Sequence, residues 1–164
     1  MAKKSDKFDL ESLKNRYKEL QEKYNLPSFE DFNREFYIEK IAETETEFLT
    51  REIRRFIADK IFNYIRFVET LLNPANAPMF IFSVIKSLTD DDKKKLSEIY
   101  DRLSGIDIEL IKLDIDSSEK RDAEFLKQAY DSWQSIKREL MEILKKLKSE
   151  KNKKENETNS KYFG

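Results

Sequence analysis

The sequence predicts an all-α protein, an antiparallel helix bundle that ends in a long helical hairpin. Three observations carry this prediction. Only two Gly and three Pro occur in 164 residues, too few for the tight turns of a β-sandwich or a doubly wound sheet. Apolar residues recur at alternating steps of three and four through most of the chain, the period of one helix face. Charged residues make up 40% against 38% hydrophobic, with 32 basic and 33 acidic side chains. Long helices with solvated outer faces have this composition.

Residues 1–8 are polar and are expected to be flexible. Leu10, Leu13, Tyr17, Leu20 and Tyr24 form the stripe of a first helix, which Asp9 can cap. Asn25-Leu26-Pro27-Ser28 breaks it, because Pro27 disfavours helical backbone at Leu26 and Ser28 can cap a new first turn. Phe29, Phe32 and Phe36 mark the second helix, with a break expected near 37–43. The third helix is predicted over 44–72, with the stripe Leu49, Ile53, Phe56, Ile57, Ile61, Tyr64, Ile65, Val68, Leu71, Leu72. Such a helix would run ~43 Å. Asn73-Pro74 ends it.

Residues 77–88 have strand-like propensity in Met79–Ile85, yet Pro78 suits a first helical position and no second strand is available to pair. A short buried helix is predicted. Thr89-Asp90-Asp91-Asp92 is a helix start, with a capping threonine and three acids on the positive end of the helix dipole. A heptad seam follows: Leu96, Ile99, Leu103, Ile106, Leu110, Leu113. Gly105 interrupts it at a cost of ~1 kcal/mol relative to alanine and is read as marking a close helix crossing. The seam lapses at 114–124 and resumes at Leu126, Ala129, Trp133, Ile136, Leu140, Ile143 and Leu147. A turn at Asp116-Ser117-Ser118 would fold the two seams into an antiparallel hairpin. The rival reading is one continuous helix. From Lys151 the apolar pattern disappears, and 151–164 is expected to be a disordered tail. One domain is therefore predicted over 9–150, comprising N-terminal helices at 9–88 and the hairpin at 90–150.

The same composition narrows the chemistry. Cys and His are absent, which excludes disulfides, zinc fingers, thiol catalysis and a histidine base. The two glycines are Gly105 and the terminal Gly164, so no phosphate-cradling glycine loop can form. Glu35 with Glu39, and Glu43 with Glu47, are spaced four apart. They leave a carboxylate-only metal site or a carboxylate acid/base pair as enzymatic readings, against that of a solvated acidic face; lysine-assisted serine catalysis has no motif to support it. The N-terminus lacks the apolar core of a signal peptide. The apolar stretch from Ile61 to Ile85 contains Arg66 and Glu69 and fails as a membrane span. The expectation is a soluble, cytoplasmic protein with no cofactor, no metal and no membrane partner.

Two tracts could recognise a partner. Lys145, Lys146, Lys148, Lys151, Lys153 and Lys154 face Glu150 as the only nearby acid. They could contact nucleic-acid phosphates or merely decorate a helix C-terminus. Tyr162 and Phe163 end the tail and could form a docking peptide. Arg51, Arg54 and Arg55 sit among aromatics, as at RNA sites, but segment 44–72 carries five acids and five bases, and surface ion pairing explains them as well. Between Phe29 and Phe82 lie eleven of the twenty aromatics, at core spacing. The sequence thus favours a non-enzymatic protein-protein interaction or scaffold protein, with coiled-coil self-association among its modes. The alternative is a nucleic-acid-binding accessory protein that uses the lysine-rich end.

Overall fold

The structure, a computed structural model, describes residues 9–162. The flexible N-terminus expected over 1–8 and the partner candidate Phe163 lie outside the described residues, as do the side chains of Tyr162, Lys151 and Lys154. The protein is all-α, with no strand among the described residues. Its helices are α1 (Leu10–Tyr24), α2 (Phe29–Phe36), α3 (Leu49–Leu72), α4 (Met79–Ile85), α5 (Asp90–Ile115) and α6 (Glu119–Tyr162), with 3₁₀ turns at Ile38–Glu43 and Pro74–Asn76. The predicted break at 116–118 separates α5 from α6, so the continuous-helix reading falls. The 77–88 stretch is helical at α4, but that helix is not buried as expected: Met79 is 88% exposed and Phe82 38%, and none of the described side chains of α4 is buried.

Contacts do not divide the chain at residues 88–90. They group 9–62 with 105–131 in one compact unit, and 63–104 with 132–162 in another.

In the first unit the starts and stops follow local chemistry. The Asp9 carboxylate accepts the Ser12 amide at 2.8 Å and caps α1. Asn25 takes a left-handed conformation (φ 53°) and closes its end, as asparagine readily does. Ser28 accepts the Asp31 amide at 3.1 Å to start α2. Tyr37, also left-handed at φ 55°, stops α2. This stop separates Glu35 from Glu39, and Thr44, in extended conformation, ends the next turn before Glu47. Neither glutamate pair therefore shares one α-helical face. Glu35 is instead buried beside Lys60, 3.9 Å away.

The core of this unit is aromatic. The Tyr17 ring meets Phe29 edge-on at 5.5 Å, and Phe32 stacks on Tyr130 at 5.5 Å. The Tyr17 hydroxyl donates to the Pro27 carbonyl at 2.9 Å, which satisfies the one polar atom of a buried ring. Ile53, Ile57 and Ile61 are fully buried on α3. That helix begins at Leu49 rather than at 44, and so spans ~36 Å. The reason lies thirty residues away. The Arg16 guanidinium donates to the Thr46 carbonyl at 2.7 Å and to the Glu47 carbonyl at 3.3 Å, holding the approach to α3 in non-helical form.

In the second unit the capping prediction at Thr89 holds in a reciprocal form. The Thr89 hydroxyl oxygen accepts the Asp92 amide at 3.1 Å, and the Asp92 carboxylate accepts the Thr89 amide at 3.2 Å, a capping box with aspartate in place of glutamate. The Arg102 guanidinium meets Glu139 at 2.6 Å, and Lys146 meets Asp92 at 3.3 Å. Moving back along α5 thus means moving forward along α6, so these portions run antiparallel. Leu96, Ile99, Leu103, Ile136, Leu140, Ile143 and Leu147 are buried on them, and Trp133 packs on Tyr64 with ring centroids 4.7 Å apart.

Two further readings change. Helix α6 continues through 151–162, which composition assigns to a disordered tail. No Gly or Pro occurs between Glu119 and Tyr162, so nothing in the backbone stops the helix once its buried seam has nucleated it. Gly105 does not mark a close crossing. Among the described residues, no heavy atom outside its own helix turn lies within 4 Å of a Cβ built there.

Candidate functional site

Three places gather charged or exposed apolar side chains: the lysine-rich end, a polar cleft in the first unit, and the outer face of α5.

The lysine tract lies on the last part of α6. Lys145, Lys148 and Lys153 are exposed. Lys146 is engaged by Asp92, a buried carboxylate. Burial alone would push the Asp92 carboxyl up. Hydrogen bonds from the Thr89 side chain and backbone, together with Lys146, outweigh that and hold it below the usual carboxylate range. Lys146 therefore has a structural role at the start of α5. The arginines of α3 do not form a common basic face either. Arg54 is 4% exposed and lies 3.1 Å from Asp114 and 3.6 Å from Asp122. Arg55 pairs with Glu52 at 3.3 Å, and the Arg51 guanidinium sits 4.9 Å over the Phe48 ring. Glu47 precedes α3 and so does not share a helical face with Arg51.

The cleft, of about 550 Å³, lies where the start of α3, the last turns of α1 and the start of α6 meet. Its charged groups engage one another. The Lys23 ammonium and the Tyr24 hydroxyl both donate to Glu119 Oε1 at 2.7 Å, and these bonds hold the Glu119 carboxyl low. The Arg51 guanidinium donates to the Ser117 hydroxyl at 3.2 Å. At the floor is Asp122, 3% exposed, which accepts from the Thr50 hydroxyl at 3.4 Å. Burial pushes its carboxyl up, against the opposing pull of Arg54 and the Thr50 bond. Asp122 Oδ1 and Arg54 Nη1 are buried and find no hydrogen-bond partner among the described residues. The cleft thus staples the ends of three helices together. Among the described residues, no group of three or more acids is placed to hold a metal ion, and no helix is long and apolar enough to cross a membrane.

The outer face of α5 is different in kind. Ile108 is 53% exposed, Ile111 54% and Ile115 83%. They repeat at steps of three and four, so they form one stripe on the side of the helix away from buried Ile106, Leu110 and Leu113. Gly105, one turn earlier, is exposed beside the stripe. The heptad reading passed over Ile108 and Ile111 because it followed the stronger seam. A second apolar period on the same helix, offset by half a turn, was the signal that could have found them. The exposed aromatics do not make a comparable line. Tyr37, Phe48 and Phe62 stand on separate elements or turns of the first unit and Phe82 on α4. Of the aromatics expected in the core between Phe29 and Phe82, Phe29, Phe32 and Phe36 are buried while Phe56, Tyr64 and Phe67 are only partly covered.

No family model matches the chain, and no curated protein or solved structure matches it.

Proposed function

We propose that this chain is a non-enzymatic helical interaction protein that docks a helical partner on the outer face of α5. The observation that carries the reading is the line of Ile108, Ile111 and Ile115, all more than half exposed. One exposed isoleucine is ordinary on a protein surface. Three in register on one helix face are the anchor spacing of helix-in-groove recognition. Covering them fully would contribute about 3–6 kcal/mol of gross hydrophobic free energy, from ~1.5–3 kcal/mol per fully buried side chain. That alone does not exceed the ~4–15 kcal/mol cost of association, so polar and charged contacts around the stripe must contribute as well.

The test is recovery of binding partners by the tagged full-length protein, with and without nuclease, compared with an Ile108→Lys/Ile111→Lys variant. Circular dichroism and a thermal melt establish that the variant folds, as expected for substitutions at exposed positions. The reading expects nuclease-resistant protein partners that the variant loses. Equal recovery by the variant would overturn it. Recovery that collapses with nuclease would move the function to nucleic-acid binding through Lys145, Lys148 and Lys153.

A further inference from the structure

A helical partner on α5 can be acidic, basic or a second copy, and the rim of the stripe narrows the choice. At about 100° per residue, Asp107 and Asp114 fall along one edge of the isoleucine line and Glu109 along the other, with Asp116 just past the end of α5. Asp114 and Asp116 keep 75% and 79% of their side-chain surface in solvent although each has an arginine neighbour, Arg54 and Arg121 respectively. The cation that lies on the stripe itself is Lys112, and its ammonium is held by Glu109 at 2.6 Å. A partner lying along the isoleucines therefore meets carboxylates on both sides, several with free lone pairs. The size of the stripe gives the second constraint. From Ile108 to Ile115 it covers about 10 Å of helix. Stable interfaces between folded proteins take ~800 Å² and about 20–30 residues per partner, more than this face alone supplies to any folded domain, a second copy included. One crossing helix fits it.

We infer that the occupant is a single amphipathic helix of another protein, with an aliphatic stripe flanked by lysine or arginine. The inference rests on the docking reading above and adds the chemistry of the partner. Basic flanks satisfy the outward carboxylates of the rim, and acidic flanks place like charges against them.

The probes are two synthetic helical peptides of about three heptads, identical in their isoleucine and leucine stripe. One carries lysine at the flanking positions and the other glutamate. Binding to the full-length protein is measured by fluorescence anisotropy, at low salt and at high salt, alongside sedimentation equilibrium of the protein alone. The lysine peptide is expected to bind about tenfold more tightly than the glutamate peptide at low salt, with the gap narrowing as salt screens the rim. An Ile111→Asp variant should lose both peptides, and an Asp107→Lys/Glu109→Lys variant should reverse the preference. Equal binding of both peptides, abolished by Ile111→Asp, would overturn the basic partner while leaving the docking face standing. Binding of neither peptide would also overturn it, and the recovery experiment then decides the docking face separately. Self-association that Ile111→Asp abolishes would identify the occupant as a second copy, and would equally overturn the inference.

Discussion

Replacing Gly105 with alanine tests the structure at the point where it departs most sharply from the seam-based reading. If Gly105 marked a close crossing of two helices, an added methyl would collide and destabilise the fold. The structure places Gly105 within α5, with helical backbone, on an exposed face, and with no described heavy atom outside its own helix turn within 4 Å of the new Cβ. No contact is gained and none is strained, so the helix-propensity difference remains. Alanine is better than glycine in a helix interior by about 0.8–1.0 kcal/mol, much of it because the unfolded chain loses freedom. With an unfolding entropy of about 2.1 cal/mol/K per residue, a chain of this length should melt about 3 °C higher. Urea unfolding followed by circular dichroism reads the same quantity as a rise in the midpoint at constant slope. A Gly105→Leu variant should be tolerated as well, since the space is open. A loss of 1 kcal/mol or more in the alanine variant would refute the reasoning and restore the close crossing.

Two further outcomes follow from the buried charges. Arg54→Ala should cost about 3–5 kcal/mol at neutral pH, because it leaves the buried Asp122 carboxylate without its cation. Burial already raises the Asp122 carboxyl above the usual 3.8, and removing Arg54 raises it further. A folded value above the unfolded one means that the native state binds more protons between them, so stability rises as pH falls through that window. The deficit of the variant should therefore shrink in mild acid. Urea melts at neutral pH and near pH 4–5 check this, and a deficit that does not change with pH would sink it. Thr89→Ala removes one half of the capping box with Asp92 and should cost about 1 kcal/mol. In the native protein Asp92, held low, contributes stability that is present above 3.8 and lost as pH falls through its lower folded value. Without the threonine hydroxyl, burial counts for more and the Asp92 carboxyl should titrate at higher pH. An unchanged carboxyl titration by NMR would contradict that assignment.

What could be read directly from the chain was local. Asp9, Ser28, Thr89 and the turn at 116–118 start or separate helices through bonds that reach three or four residues, and the same range generates the seams Leu96–Leu113 and Leu126–Leu147. Periodicity states that a helix has an apolar face. It does not state whether another element covers that face. The tertiary structure decided that Ile106 and Leu110 are buried while Ile108 and Ile111, on the same helix, face solvent. It decided that Arg54 is an internal bridge between two aspartates where composition reads a surface basic group. It moved the start of α3 to Leu49 because Arg16, on α1, binds the carbonyls ahead of it. It also left Gly105 in open space. Each of these depends on residues distant in sequence, whose approach is set by how faces pack. Capping and periodicity were legible because they act within one turn of the chain that encodes them.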